Sequence, residues 1–321
     1  MAGLTVAVTG PTGEIGRAFM RALEGSREVE RIVGMARRPF DPAAEGWKRT
    51  EYRRGDVLDR ASVERLVEDA DVVVHLAFVI VKAGDETRHV NVEGSRNVFE
   101  AAVAAGARRL VYASSVAAYG FPDIEGLLTE DVPAVGHPRH PYSAHKAEVE
   151  AVLADALAAG ETEAWVFRPC IVAGPQAPAL VTQARWPDRL PGPLGAVVGA
   201  VGVLPDPGVP FQLVHHDDVA TALRAGVLGR GEPGAYNLAG PGEITMSDLG
   251  RAIGYRTVPT PRAAMDAMAE VVARIPFLPE EATWVEALRR PVLMDTSKAR
   301  RLLRWRPRYD AQETLRATVS G

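Results

Sequence analysis

Short apolar runs alternate with longer stretches of helical spacing over the first half of the chain. The runs at 4–8, 31–36, 71–77, 109–113 and 164–168 are apolar at successive positions, the pattern of strands covered on both faces, and 52–54 adds a short strand. After the first run comes an amphipathic helix with Ile15, Phe19, Ala22 and Leu23 on one face and Gly25 past its end. Asp59 is placed to cap a helix carrying Val63, Leu66 and Val67. A long helix is predicted over 87–105, ending at Gly106, and another over 143–159, closed by Gly160. Strands alternating with helices in this way predict an α/β fold built on a Rossmann-type, doubly wound parallel sheet.

The pattern changes at Pro169. From 169 to 210 the chain is rich in Pro and Gly, with apolar pieces such as 194–204, and a loop that long in a compact chain is usually functional or poorly ordered. A strand resumes at 213–215, Asp217 or Asp218 can cap a helix running through 228, and 235–238 is another short strand. Residues 247–321 read as short helices punctuated by prolines, and no internal repeat is present. The predicted organisation is a sheet lobe over 1–172, completed by about 212–238, with a smaller C-terminal lobe over 173–321.

Two stretches carry chemistry. Thr9-Gly10-Pro11-Thr12-Gly13-Glu14-Ile15-Gly16 joins the first strand to the first helix. Glycines there let the backbone approach closely, and the helix N-terminus offers unpaired N–H groups to an anion, which suits a dinucleotide diphosphate. The spacing is G-x-x-G-x-x-G, and three glycines in a tight turn would look the same. Tyr142-Ser143-Ala144-His145-Lys146 is the second stretch, with Tyr142 and Lys146 one helical turn apart on a shared face. A neighbouring ammonium is expected to lower the Tyr142 phenol and make it a proton donor or acceptor near neutral pH. Ser114 and Ser115 follow the strand at 109–113, at the strand end where open parallel sheets bind ligands. A serine hydroxyl there can bond a carbonyl or alcohol oxygen while Tyr142 exchanges its proton.

Composition narrows the field further. The chain has 321 residues, 47% hydrophobic and 24% charged, with a net charge of −4, a globular balance lacking the basic stripe of a nucleic-acid binder. No apolar run approaches the roughly 18 residues of a membrane span, and the N-terminus enters a strand directly, with no signal-peptide pattern. The single cysteine, Cys170, excludes an intrachain disulfide and reads as an inert core thiol. The expectation is a cytoplasmic protein without nucleic-acid or membrane partners.

Taken together, these stretches resemble the extended short-chain dehydrogenase/reductase family, the group that includes NAD-dependent epimerases and dehydratases. The resemblance runs nearly the whole length. It rests on Thr9 to Gly16, Gly55-Asp56-Val57, His75-Leu76-Ala77, Asn91-Val92-Glu93-Gly94, Ser114-Ser115 with Tyr119-Gly120, and the Tyr142/Lys146 pair. Arg168-Pro169, Gly174-Pro175, the stretch from Phe211 to Ala220 and the close from Asp295 to Pro307 continue it. The resemblance implies catalysis by Ser115, Tyr142 and Lys146, with Ser114 in support and Lys146 also on the nicotinamide ribose. It implies cofactor contacts from Gly10, Thr12, Gly13, Glu14, Ile15 and Gly16. Asp56 and Val57 would meet the adenine, and Leu76, Ala77, Pro169 and Ile171 would lie along the cofactor. The family's helices corresponding to 98–105 and 147–158 often pair across a dimer axis, so a homodimer is an option; a helix buried against its own sheet would look the same.

Two departures from the family's pattern bear on specificity. NAD-preferring members carry an acidic residue about 20 positions past the last glycine; here that position is Ala36, followed by Arg37 and Arg38. An arginine pair suits the 2′-phosphate of NADP, and NADP(H) is expected to be preferred over NAD(H), though two solvated arginines after a strand would look alike. Nucleotide-sugar members often place an asparagine three residues after the arginine of Arg-Pro, where this chain has Ile171. Apart from Arg185 and Arg189, the middle loop is apolar, which favours a mostly apolar carbonyl or alcohol as substrate. The expected activity is NADP(H)-dependent hydride transfer to or from such a small molecule. The alternatives are a nucleotide-sugar epimerase or dehydratase with tightly bound NAD, and a dinucleotide-sensing regulator without turnover. No metal site is expected: adjacent strand residues point to opposite faces, so His215 and His216 would not share an ion.

Overall fold

The computed structural model describes residues 3–80, 85–185, 203–272 and 289–321; most of the apolar stretch 194–204, and Arg189, lie outside them. In chain order the elements are β1 (Leu4–Thr9), α1 (Glu14–Glu24), β2 (Val29–Ala36), β3 (Thr50–Arg54), α2 (Arg60–Val67), β4 (Val72–His75) and α3 (Asp85–Ala104). They continue with β5 (Arg109–Ala113), a 3₁₀ turn (Val116–Tyr119), α4 (Pro141–Leu157) and β6 (Glu163–Pro169). Then come β7 (Ile171–Ala173), α5 (Ala179–Ala184), β8 (Val203–Asp206), β9 (Leu213–His215), α6 (His216–Val227) and β10 (Gly234–Leu238). The chain closes with α7 (Met246–Ile253), β11 (Arg256–Pro259), α8 (Arg262–Val272), α9 (Ser297–Leu302) and α10 (Ala311–Ser320).

The central sheet has the order β10-β6-β5-β4-β1-β2-β3, and every neighbouring pair is parallel. Because β1 pairs with β2 on one side and β4 on the other, the winding reverses there, and the crevice opens beyond the strands' C-terminal ends. Two apolar layers cover the sheet. One holds Phe19, Met20 and Leu23 of α1 with Val219, Leu223 and Val227 of α6. The other holds Val63 and Leu66 of α2, Val98 and Phe99 of α3, and Val149, Val152 and Leu153 of α4. The apolar faces of α3 and α4 are thus spent against their own sheet.

A third apolar cluster holds Leu204, Leu213, Ile244, Leu249, Ile253 and Leu315. The strand at 213–215 pairs with β7 and stands apart from the central sheet, whereas β10 extends it. Neither Asp217 nor Asp218 caps α6. His215 does, its Nδ1 accepting the Asp217 N–H at 3.2 Å. Asp218 is wholly buried and turns to the chain's last segment, its carboxylate accepting the N–H of Arg308 at 3.0 Å and of Tyr309 at 3.2 Å. Its backbone carbonyl takes the Trp305 indole N–H at 2.9 Å, so one residue ties 305–309 to the start of α6. Asp218→Ala orphans two backbone donors and is expected to lower unfolding stability by about 3 kcal/mol. Urea unfolding checks this; a loss below about 0.5 kcal/mol would show that the segment docks without that carboxylate.

Candidate active site

The residues singled out from the sequence gather along one edge of the sheet. The Gly10–Gly16 turn follows β1, Arg37 and Arg38 follow β2, Asp56 and Val57 follow β3, and Leu76 and Ala77 follow β4. Ser115 follows β5, Pro169 ends β6 and Ile171 opens β7, while Tyr142 and Lys146 lie on the first turns of α4. All these strands except β7 belong to the parallel sheet, so their C-terminal ends share one side.

The glycine turn is closed against its neighbours. Gly10 has φ +72, and a Cβ there would stand 2.8 Å from the Ala77 nitrogen; at Gly16 it would stand 2.3 Å from the Gly10 carbonyl oxygen. Gly13 sits at the N-cap of α1, where no side chain caps the helix, so the first-turn N–H groups face the crevice edge. The cradle therefore has the donors and the close backbone that a dinucleotide diphosphate needs. The Glu14 side chain turns away from this role, toward Ala179 and His216, and burial raises its pKa.

A buried relay holds the next strand end. Ala77 N–H reaches Thr9 Oγ1 (3.4 Å), Thr9 Oγ1 bonds His75 Nδ1 (2.7 Å), His75 Nε2 bonds Ser95 Oγ (2.9 Å), and Ser95 donates to the Asn91 carbonyl (2.5 Å). Burial pushes the His75 imidazole down to about 3, so it works as a neutral spacer. The Asn91 amide clamps Val79 through both backbone groups, at 2.8 and 2.9 Å. His75, Asn91 and Ser95 thus fix the path of Leu76 to Val79. Asp56 turns its carboxylate onto its own loop, accepting the Leu58 N–H at 3.0 Å, and Val57 is buried against Gly94.

Ser115 accepts the Ala117 N–H at 3.1 Å, which leaves its own proton to give, and its hydroxyl acts on the Tyr142 phenol, favouring the phenolate. The Pro at the first position of α4 and the His140 cap, whose Nδ1 accepts the Ser143 N–H at 3.2 Å, start the helix here. Ser143 donates to the Ala117 carbonyl at 2.6 Å, tying α4 to the Ser115 turn. The edge of the Tyr142 ring meets Phe78 at a centroid distance of 5.6 Å and His140 at 6.3 Å, and His140 meets Phe121 at 5.3 Å.

The expected lowering of the Tyr142 phenol is overturned. Burial pushes it up to about 12, with the Ser115 hydroxyl opposing. Lys146 spends its ammonium elsewhere: it donates to the Ala113 carbonyl at 2.8 Å and the Tyr112 hydroxyl at 3.3 Å, and lies 3.7 Å from the centre of the Phe78 ring. Burial pushes Lys146 down to about 7, against the pull of Glu150. Tyr112, Phe78 and Glu150 were not singled out from the sequence. Glu150 had a signal, since it repeats the Tyr142–Lys146 interval one turn on; the other two needed the fold.

The ground on which a shared ion at His215 and His216 was set aside does not hold. His216 opens α6 instead of continuing the strand, and the two rings lie 4.3 Å apart. One ligand atom from each of His215, His216 and Asp217 lies within 4.8 Å of the others. The two imidazole lone pairs are already in use, however, with His215 Nδ1 accepting Asp217 N–H and His216 Nε2 accepting Gln176 N–H at 3.4 Å. Among the described residues no helix is long and apolar enough to cross a membrane.

The model of the NAD dependent epimerase/dehydratase family matches residues 6–239. An uncharacterised protein of Mycobacterium tuberculosis is 28% identical over 320 residues, which cover 97% of this chain and 29% of that one; the chain thus spans 29% of such relatives' length. The 3beta-hydroxysteroid-dehydrogenase/decarboxylase isoform 1 of Arabidopsis thaliana is 27% identical over 301 residues, covering 85% of this chain and 67% of that protein. Among solved structures, the UDP-glucuronic acid 4-epimerase from Bacillus cereus in complex with NAD superposes with a TM-score of 0.72 at 18% identity, over 99% of this chain and 98% of that one. That likeness establishes the Rossmann-type fold.

Proposed function

Because the chain belongs to the NAD dependent epimerase/dehydratase family, we propose that it is an NADP(H)-dependent oxidoreductase acting on a carbonyl or secondary alcohol of a mostly apolar small molecule. The observation that carries this reading is the Ser115–Tyr142 hydroxyl pair at the sheet edge, with Lys146 one turn behind it. A bound nicotinamide dinucleotide supplies or accepts the hydride. Its diphosphate would be held by the turn Gly10, Thr12, Gly13, Glu14, Ile15 and Gly16 through backbone N–H groups. Asp56, Val57, Leu76, Ala77, Lys146, Pro169 and Ile171 would line the rest of its path.

The proton belongs to this chain. A phenol at about 12 stays protonated at neutral pH, so Tyr142 is set to give its proton to a carbonyl oxygen. Ser115, whose oxygen already accepts from Ala117, donates to the same oxygen and stabilises the charge that develops there. Lys146 contributes positive potential beneath the pair. Phe78 against Tyr142, and Phe121 against His140, make the surroundings of the phenol largely apolar, in keeping with a relative whose name is that of a hydroxysteroid dehydrogenase.

Arg37 and Arg38 support the cofactor preference. Both are exposed, and among the described residues neither joins an ion pair. The Tyr52 hydroxyl, donating toward the carbonyls of Ala36 and Arg38 at 3.2 Å each, shapes the turn that carries them. Arg37→Ala is expected to weaken NADPH binding about tenfold and leave NADH binding unchanged. Fluorescence titration of both cofactors checks this, and an unchanged affinity ratio refutes the preference.

A nucleotide-sugar epimerase is the second reading, favoured by the superposition on the B. cereus enzyme. Denaturing the purified protein and identifying any released dinucleotide separates the two. An empty protein that takes up NADPH reversibly supports the reductase; tightly held, non-exchanging NAD replaces it with the epimerase.

A further inference from the structure

Behind the Ser115–Tyr142 pair lies a buried ion pair that the reaction above leaves unused. Glu150 stands on α4 four residues beyond Lys146, on the same helix face. Its carboxylate accepts Arg168 Nε at 3.0 Å and Arg168 Nη2 at 2.5 Å, and also takes the Ser114 hydroxyl at 2.5 Å. The two charged side chains are 8% and 11% exposed. The Arg168 guanidinium carbon lies 4.5 Å from the centre of the Tyr119 ring, and the Tyr119 hydroxyl donates to Asn237 on β10 at 2.8 Å. One carboxylate therefore joins β5, α4, β6 and, through Tyr119, β10.

A salt bridge this buried is a weak source of stability, because desolvation cancels most of its attraction, and apolar residues of similar size often serve the fold as well. What apolar residues cannot do is what Glu150 does at its other contacts. Ser114 immediately precedes Ser115, so a fixed Ser114 hydroxyl fixes the turn that presents the Ser115 hydroxyl. The ammonium of Lys146 meets neutral partners on three sides: the Ala113 carbonyl, the Tyr112 phenol and the Phe78 face. The titratable and charged groups around it are Tyr142 and Glu150 on its own helix, Tyr112 on β5, neutral His75 on β4, and Arg168 on β6 behind Glu150. The carboxylate in that set is Glu150.

We propose that Glu150, clamped by Arg168, is a positioning residue that sets the Ser114–Ser115 turn and serves as the counter-ion of Lys146. This rests on the reading of Ser115, Tyr142 and Lys146 given above. Burial works to discharge Lys146, and Glu150 works against that burial. Loss of the carboxylate lowers the pH at which Lys146 gives up its proton, and the range over which it is a cation shrinks from the alkaline side.

The chain has four lysines, Lys48, Lys82, Lys146 and Lys298, so the intact protein labelled with ¹³Cε-lysine gives a spectrum in which Lys146 is assigned by its loss in Lys146→Arg. Its titration midpoint is expected to fall by about one pH unit in Glu150→Gln. The double variant Glu150→Gln/Arg168→Met removes the stranded guanidinium as well, which protects the fold, and its midpoint is expected to fall too. A midpoint in the folded double variant that matches the parent protein overturns the proposal and leaves a structural ion pair. The titration needs neither cofactor nor substrate. A protein that binds no dinucleotide but shows the shift would therefore sink the proposed function and not this inference.

Discussion

Tyr142→Phe is expected to lower turnover by about a thousandfold while leaving dinucleotide affinity within about twofold. The substitution removes one oxygen and keeps the ring, so the edge contacts with Phe78 and His140 survive and the start of α4 is undisturbed. What is lost is the proton of the phenol beside Ser115. Ser115 still accepts the Ala117 N–H and can still polarise a carbonyl, which is why a residual rate is expected. Single-turnover hydride transfer with a panel of apolar ketones, beside a fluorescence titration of NADPH, separates chemistry from binding. A variant with unchanged turnover would remove Tyr142 from the reaction. A variant that lost turnover and cofactor affinity together would assign the phenol to binding instead.

Most of the sheet was legible because parallel strands covered on both faces spell themselves out as apolar runs. β4 and β5 consist of such runs, and the glycine turn punctuates β1 and α1 where the fold needs it. The start of α6 was harder to read. Two acidic residues before an apolar periodic stretch are the usual signature of a helix cap, yet His215 took that position and Asp218 was drawn to the backbone of Arg308 and Tyr309, some ninety residues on. A contact that remote leaves no trace in local periodicity. The electrostatics of the site were hidden for a similar reason. The Tyr142–Lys146 interval is readable, but whether Lys146 faces the phenol or the Ala113 carbonyl depends on β5 and on Phe78, which reach it through the fold. Spacing tells which side chains share a helix face; it does not say how deeply that face is buried, and burial set the phenol's direction.

Gly16→Ala is expected to reduce dinucleotide affinity by at least about a hundredfold and to cost about 2 kcal/mol of stability. On helix propensity alone the change should help, since alanine in a helix interior gains up to about 1 kcal/mol over glycine. The sterics outweigh that gain. A Cβ at this position would lie 2.3 Å from the Gly10 carbonyl oxygen, 2.7 Å from the Pro11 carbonyl carbon and 2.8 Å from the Pro11 oxygen, all backbone atoms without a rotamer to escape into. Relief requires the Gly10–Pro11 segment to lift off the N-terminus of α1, and that movement spreads the N–H groups offered to the diphosphate. Gly10 cannot follow freely, because its backbone lies so close to Ala77 that an added Cβ would stand 2.8 Å from the Ala77 nitrogen. Gly13 supplies the control: a Cβ there would meet nothing closer than the Gly10 oxygen at 3.5 Å, so Gly13→Ala is expected to fold as the parent does. Thermal unfolding and NADPH titration of the two variants side by side test this. If Gly16→Ala bound NADPH as tightly as the parent protein, the turn would not be the anion cradle, and the dinucleotide would have to be held from the Arg37 and Lys146 ends of the crevice instead.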